Sequence, residues 1–169
     1  MSNLNETACE RRRREGYEAV LEEIRANRKN RSDFENAIVE KIHRWWKEWV
    51  PDYEGWCKIA DWLYAEDCMM KCNEGPKELF RDYRAGMRHQ RDTFTMEMGH
   101  IEKYVVEGDT IAISYDMYLT PKADMGPFKA GVTCVAKVTE FNTFKEIPGS
   151  EPMVSNLLLN ICPMTPVQE

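Results

Sequence analysis

Residues 91–119, RDTFTMEMGHIEKYVVEGDTIAISYDMYL, decide the fold. Every second residue from Ile111 to Leu119 is large and apolar, which predicts a strand with one buried face. The tripeptide at 107–109, Glu-Gly-Asp, is typical of a hairpin turn, so an antiparallel strand is predicted before it. Gly99 invites a bulge in that earlier strand, which would reverse the facing of the residues after it.

The residues before this hairpin are predicted to be helical. A charged, helix-favouring segment covers residues 6–28 with a narrow apolar stripe. Ser32 and Glu35 have the form of a capping box, which predicts the start of a second helix. Pro51 ends that helix, and Asp52 is expected to cap a third.

Tryptophans are concentrated on these helices. Trp45, Trp49, Trp56 and Trp62 lie at or beside apolar faces, while Trp46 is expected at a rim. Aromatic stripes at helical spacing are most often core, and the alternative is the lining of a ligand pocket. Both interpretations can hold at different positions.

The remaining elements are predicted from shorter signals. Residues 65–72 are a short strand candidate, and a helix is expected from Gly75-Pro76 to about His89. A long strand begins near residue 132, with Cys134, Ala136 and Val138 on one face. Residues 153–161 are almost continuously apolar, which favours a central strand covered on both faces.

Composition narrows the class of protein. A chain of 169 residues with 43% apolar content is expected to form one domain. The net charge of −6 argues against a nucleic-acid partner, because that affinity depends largely on cationic side chains. No apolar run approaches the roughly 18 residues of a membrane span, and the first residues lack a signal-peptide core. We therefore expect a cytoplasmic protein with no membrane partner, whose six cysteines are reduced.

Three stretches resemble the NTF2-like superfamily, and its SnoaL-like branch most. They are WCKIADWLYAEDC at 56–68, GPKELFRDYR at 75–84 and GHIEKYVVEGDTIAISYDMYL at 99–119. Their order, helices followed by a short strand, a helix and long strands, matches the layout of that family. The resemblance implies an α+β cone, in which N-terminal helices pack on a curved antiparallel sheet and enclose a pocket. It also implies a homodimer formed through the sheet.

The domain organisation follows from the extent of this resemblance. Residues 1–31 have no counterpart in the family and are interpreted as an N-terminal helical extension. Residues 32–163 are expected to form the SnoaL-like domain, and residues 164–169 a flexible tail.

The resemblance also limits the function without selecting one reaction, because related folds include isomerases, cyclases, dehydratases, hydrolases and binding modules. Serine hydrolase, zincin and nucleotide-binding motifs are missing from the sequence, and the Cys68/Cys72 spacing fits no metal site. We expect no cofactor and no metal. The leading hypothesis is a cofactor-independent lyase or isomerase, dehydratase- or cyclase-like, that moves protons on a hydrophobic ring-containing small molecule. The alternative is a non-catalytic module for small-molecule binding or dimerisation.

Five residues are candidates for the chemistry. His100 follows Met98 on an apolar strand face, and an imidazole with a pKa near about 6.5 can serve as acid or base. Asp116 or Glu97 is its candidate carboxylate partner, and Tyr64 or Tyr115 is the candidate donor to a developing oxyanion. A core histidine and a solvent-facing Asp116 remain the alternatives. The predicted ligand-binding residues are Trp45, Trp49, Trp62, Met98, Tyr115 and Asn156.

Overall fold

The computed structural model describes residues 8–167, without the side chains of residues 8–10, 12, 13 and 100. Its helices are α1 (Ala8–Asn27), α2 (Asp33–Glu48), α3 (Tyr53–Leu63) and α4 (Phe80–Thr93), and a 3-10 turn at Arg28–Asn30 follows α1. Its strands are β1 (Tyr64–Cys72), β2 (Lys77–Leu79), β3 (Phe94–Glu107), β4 (Thr110–Pro121), β5 (Cys134–Lys145), β6 (Met153–Ile161) and β7 (Thr165–Pro166). Residues 6 and 7 of the predicted first helix and the last two residues of the predicted tail lie outside the described residues.

One mixed sheet organises these elements. Its strand order is β2-β1-β6-β5-β4-β3, and β7 pairs with β5. The pair β1–β6 is parallel, and the other pairs are antiparallel. The helices pack on the inner face, so the hydrophobic core lies between them and the sheet. The predicted α+β architecture is confirmed.

Local capping explains where α2 and α3 begin. Ser32 accepts a hydrogen bond from the Glu35 N–H, and the Glu35 carboxylate accepts one from the Ser32 N–H. The second oxygen of Glu35 accepts from the Gly108 N–H at 3.1 Å, which ties α2 to the β3–β4 turn. Asp52 accepts from the Gly55 N–H at 2.7 Å and starts α3. Both predicted helix starts are confirmed.

The start of α4 differs from the prediction. Instead of beginning at Gly75-Pro76, the helix begins at Phe80, because residues 77–79 pair with β1 as an antiparallel strand. The sheet satisfies backbone groups that a first helical turn would leave unpaired. The helix also continues beyond His89 to Thr93.

The hairpin and its bulge are confirmed. Strands β3 and β4 pair from Phe94↔Pro121 to Glu107↔Thr110, with a register shift after Met98. A methyl group at Gly99 would overlap the ring of Tyr118 and approach the Asp116 carbonyl oxygen. Glycine at the bulge therefore allows the Tyr118 ring to cross the backbone of the neighbouring strand.

Two burial predictions are wrong. Trp46 is only 1% exposed instead of lying at a rim, because α2 buries a wide stripe and this ring meets Tyr115 edge-on at 4.7 Å. Strand β6 is central but not covered on both faces, since Leu158 is 42% exposed. Leu158 pairs across the ladder with Phe141, which is 41% exposed, so the outer face of the sheet carries an apolar pair.

Helix α1 packs on one end of the inner face. Its Val20 is buried, and Ile24 lies beside it against Ile101 of β3. After this helix, Arg31 donates a hydrogen bond of 2.5 Å to the Tyr104 hydroxyl. These contacts attach the predicted N-terminal extension to the sheet, and the proposed boundary at residue 31 stays a prediction.

Candidate active site

A cavity of about 60 Å³ lies between helices α2–α4 and the inner face of the sheet. Its wall is mostly aromatic and thioether, and it includes Met87, Met96, Met98 and Met117. This volume holds a few water molecules but not an aromatic ring. Because methionine side chains adopt many conformations, their displacement is the simplest route to a ring-sized space.

Glu140 is the carboxylic acid of this cavity. It belongs to the inner row of β5 and is 5% exposed. Its Oε1 accepts a 2.6 Å hydrogen bond from the Tyr115 hydroxyl, and its Oε2 accepts a weaker one from Asn142 at 3.4 Å. Burial raises the pKa of Glu140 above its ordinary value, and these two hydrogen bonds partly oppose that shift. Once ionised, such a carboxylate is a stronger base than an exposed one.

Tyr64 presents a second polar group to the cavity. Its ring stacks on Phe80 with centroids 3.8 Å apart, and the residue is buried. Within the described residues its hydroxyl makes no hydrogen bond. Burial, and then the nearby charge of Glu140, raise the pKa of Tyr64 well above its ordinary value. The hydroxyl therefore stays protonated and is available to donate to a ligand oxygen.

Arg91 is the cation of the cavity, and it is 5% exposed. Its guanidinium lies 5.2 Å from the ring centroid of Trp49 and 4.5 Å from that of Trp56. Its Nη1 donates to the carbonyl oxygens of Val50 at 3.3 Å and Pro51 at 2.6 Å. Burial lowers the pKa of Arg91 to about 10, so the group stays cationic at neutral pH.

Five of the residues predicted from sequence line this cavity. They are Trp45, Trp49, Tyr64, Met98 and Tyr115. The helix stripe and the strand alternation place these residues, because both periodicities direct their large side chains toward one face.

Four other predicted residues lie elsewhere. Asp116 is on the outer side of β4, where it accepts a 2.9 Å hydrogen bond from Lys137. Glu97 is half-buried between the inward-facing Met96 and Met98, so strand alternation directs it outward.

The remaining two belong to other parts of the surface. Trp62 donates to Glu151 at 3.1 Å, and the guanidinium of Arg44 stacks over its ring at 3.9 Å. Asn156 is half-buried on β6 and is not part of the cavity wall.

His100 lies in β3 at the bulge, and its side chain is outside the described residues. Its predicted role as acid or base therefore stays a prediction.

Glu140 and Arg91 are not among the residues predicted from the sequence. The signal for Glu140 was available, because the row Cys134, Ala136 and Val138 continues with the same parity to Glu140. Arg91 gave no such signal, because it is one of several arginines on a helix with many polar residues.

Among the side chains that the structure describes, no group of three or more His, Cys, Asp or Glu residues could hold a metal ion. The five cysteines whose side chains are described, Cys57, Cys68, Cys72, Cys134 and Cys162, are free thiols. No described helix has the length and apolar character needed to cross a membrane.

No family model and no curated protein sequence matches the chain. Solved structures are similar to it. A candidate SnoaL-like polyketide cyclase from Jannaschia sp. CCS1 superimposes with a TM-score of 0.61 at 18% identity, covering 78% of this chain and 89% of that one. A candidate polyketide cyclase from Xanthomonas campestris pv. campestris has a TM-score of 0.58 at 16% identity, and the superposition covers 76% of this chain and 92% of that one.

A third similar structure is IdmH, a candidate polyketide cyclase from Streptomyces antibioticus. It has a TM-score of 0.56 at 11% identity, and the superposition covers 77% of this chain and 92% of IdmH. At these identities the likeness concerns the fold alone. The protein therefore shares its α+β fold with these SnoaL-like and polyketide cyclase-like structures.

Proposed function

We propose that this protein is a cofactor-independent lyase or isomerase, dehydratase- or cyclase-like, acting on a hydrophobic ring-containing small molecule. The observation that carries the proposal is a buried carboxyl group, Glu140, hydrogen-bonded to Tyr115 inside an aromatic and methionine-rich cavity. The similar structures described as candidate polyketide cyclases support the same class of reaction.

Glu140 is the proposed base. A carboxylate whose pKa is raised by burial can remove a proton from a carbon next to a carbonyl group and return it elsewhere. The Tyr115 hydroxyl keeps the carboxylate oriented, because its hydrogen bond occupies Oε1 and leaves Oε2 with only the long bond from Asn142. In this mechanism Oε2 takes the proton.

Tyr64 is the proposed donor to the developing oxyanion. Removal of the proton places negative charge on the carbonyl oxygen of the ligand, and a hydroxyl that remains protonated stabilises that charge. Tyr64 satisfies this condition, since its pKa is raised and its hydroxyl has no acceptor among the described residues. His100, which belongs to β3, remains a predicted second acid or base.

The second candidate function is a non-catalytic module for small-molecule binding or dimerisation, and the small volume of the cavity favours dimerisation, which needs no ligand inside. At about 60 Å³ the cavity accepts a ring only after side chains move. A module that binds without reaction would show ligand binding and no proton transfer.

We also propose a homodimer formed through the outer face of the sheet, in a protein of the cytoplasm. Phe141 and Leu158 are exposed and face each other across β5 and β6, which supports a second copy as the partner. Sedimentation of wild type and Phe141→Glu tests this pairing. A dimer that becomes a monomer in the variant supports it, and a monomeric wild type contradicts it.

The test of the reaction is carbon–hydrogen exchange. In deuterated buffer, 2-tetralone offers an aromatic ring fused to a ketone with exchangeable neighbouring protons, and proton NMR follows their loss. Wild type should accelerate the exchange, and Glu140→Gln should reduce that acceleration by about 100-fold or more, the usual contribution of a general base.

Glu97→Gln is the matched control, because it removes an outward-facing carboxylate from the same sheet. Equal rates for wild type and Glu140→Gln would overturn the assignment of the base. If His100→Gln loses the accelerated exchange and Glu140→Gln keeps it, the base is His100 and not Glu140. Binding of 2-tetralone without accelerated exchange would favour the non-catalytic candidate.

A further inference from the structure

Arg91 is a buried cation without an anionic partner among the described residues. No carboxylate oxygen forms an ion pair with it there. The nearby Asp52 accepts the Gly55 N–H that starts α3, and Glu140 accepts from Tyr115. Removing a guanidinium from water costs free energy unless a charge or hydrogen bonds compensate. The two carbonyl oxygens bound to Nη1 supply only part of that compensation.

The hydrogen-bonding capacity of Arg91 is also only partly used. A guanidinium has five N–H groups, and the two recorded bonds both come from Nη1. Nε is fully buried, and no described residue accepts a hydrogen bond from Nε or from Nη2. Nε and Nη2 form one edge of the guanidinium, and this edge matches the two oxygens of a carboxylate.

The bonds to Val50 and Pro51 have a structural explanation, because they fasten the connection between α2 and α3 to the end of α4. That explanation accounts for Nη1 only. It does not account for the unused edge, or for the place of Arg91 in the wall of the cavity.

The rings around Arg91 define what kind of molecule could approach this edge. Trp49 and Trp56 both contact the guanidinium and also line the cavity. A ligand whose aromatic ring packs against these side chains would keep the ring in apolar surroundings and place a ring substituent near the guanidinium. Because Nε is buried, the substituent reaches it only with the same methionine displacement that any ring requires.

We infer that the ligand of this cavity is a ring-containing organic acid whose carboxylate pairs with the Nε–Nη2 edge of Arg91. The inference rests on the proposed function, since it names the substrate class of the same site. No ion pair joins Arg91 to Glu140 in the described part of the chain, so the carboxylate and the proton-transfer group have separate partners. Arg91 is then a specificity-determining residue, and Glu140 remains the base.

Benzoate and benzamide are suitable probes, because they share a ring and a planar substituent and differ in charge. Binding is followed through the carbon-13 methyl groups of the methionines. Met87, Met96, Met98 and Met117 report on the cavity, and the exposed Met125 is an internal control. Wild type should bind benzoate at least about tenfold more tightly than benzamide, because hydrogen bonds to charged groups are the stronger class.

Variants assign this preference to Arg91. In Arg91→Gln the affinity ratio should fall to about one, because the amide keeps polar contacts but carries no charge. Arg88→Gln is the matched control, since Arg88 lies one turn earlier on α4 and stacks on Tyr53. It should keep the wild-type ratio. If Arg91→Gln still binds benzoate more tightly than benzamide by the wild-type ratio, the inference is overturned.

A measurement on wild type alone covers the case in which Arg91→Gln does not fold. The Nε–H resonance of Arg91 should move when benzoate is added and stay in place with benzamide. An unmoved resonance at saturating benzoate would overturn the inference.

The two proposals can fail separately. Equal affinity of benzoate and benzamide at the cavity methionines overturns the acid ligand and leaves the ring-binding pocket in place. A benzoate preference together with unchanged exchange in Glu140→Gln overturns the proposed chemistry and supports the acid ligand. If neither probe shifts the cavity methionines, the acid ligand is contradicted, and the exchange of 2-tetralone still decides the proposed reaction.

Discussion

The Tyr115 hydroxyl donates a 2.6 Å hydrogen bond to the Glu140 carboxylate inside the cavity. Tyr115 pairs with Val138 across the ladder, and Ile113 pairs with Glu140, so the two residues are diagonal neighbours on one face. A buried acid whose other hydrogen bond is the long one from Asn142 thus receives a short one from the adjacent strand. The pair links the register of the sheet to the chemistry of the cavity.

The stability of the protein should depend on pH through Glu140. Its pKa is raised in the folded state, so the unfolded chain releases this proton first as the pH rises above the ordinary value of 4.5. Stability from the protonated group is fully present below that value and is lost as the pH rises through the folded pKa. The free energy of unfolding of wild type, relative to Glu140→Gln, should therefore fall with rising pH in urea titrations. Parallel curves for the two proteins would contradict the raised pKa.

Tyr115→Phe should destabilise the protein at neutral pH by about 1–3 kcal/mol, because it leaves a buried acceptor without its donor. The cost should be smaller when Tyr115→Phe is introduced into Glu140→Gln, since an amide oxygen is a neutral acceptor. Urea unfolding of the four proteins in this cycle measures the coupling. Equal costs in both backgrounds would show that the Glu140 charge does not contribute to the hydrogen bond.

Gly99→Ala should destabilise the hairpin by about 1–3 kcal/mol, because the new methyl group overlaps the Tyr118 ring and crowds the Asp116 carbonyl. Gly86→Ala is the matched control. Gly86 lies within α4 and a methyl group there meets nothing within 4 Å, so the change should stabilise by up to about 1 kcal/mol. Thermal unfolding distinguishes the two, and a destabilised Gly86→Ala or an unaffected Gly99→Ala would contradict the packing described.

His43 should make the attachment of α1 sensitive to acid. Its ring stacks on Tyr17 with centroids 4.2 Å apart, and its buried Nε2 has no hydrogen-bond partner in the described part of the chain. Burial, and then the charges of Lys47 and Arg25, lower the pKa of His43 below its ordinary value of 6.5. Stability is fully present above 6.5 and is lost as the pH falls through the folded pKa.

The variant His43→Gln isolates this effect. Wild type should lose unfolding free energy as the pH falls below 6.5, and His43→Gln should lack this part of the loss. Urea titrations of wild type and His43→Gln between about pH 5 and 8 measure it. The unfolding free energy changes with pH in opposite directions for His43 and for Glu140, so the two effects can be distinguished. An unchanged pH dependence in His43→Gln would contradict the lowered pKa of His43.

Features with local causes could be predicted from the sequence. The capping box at Ser32, the cap at Asp52 and the hairpin turn at Gly108 depend on residues a few positions apart, and all three are present. Strand alternation also placed Tyr115 and Met98 on the inner face. The bulge at Gly99 was predicted from the glycine alone.

Features that depend on partners far along the chain could not be predicted in the same way. Residues 77–79 are a strand because β1 lies beside them, although their own sequence favours a helix start. Leu158 is exposed because the helices pack on the other face of the sheet. Arg91 is buried because the Trp49 and Trp56 rings and two carbonyl oxygens surround it.

The sequence by itself determined most of the element types, the starts of α2 and α3 and the inner rows of the long strands, because backbone hydrogen bonding and side-chain periodicity act over a few residues. Strand alternation places Glu140 on the inner row of β5, but only the tertiary structure decided that Glu140 and Arg91 enter one cavity. Glu140 and Arg91 became a buried acid and a buried cation through the packing of β5 and α4 against distant aromatic residues. Their altered pKa values follow from that burial, which no local pattern records.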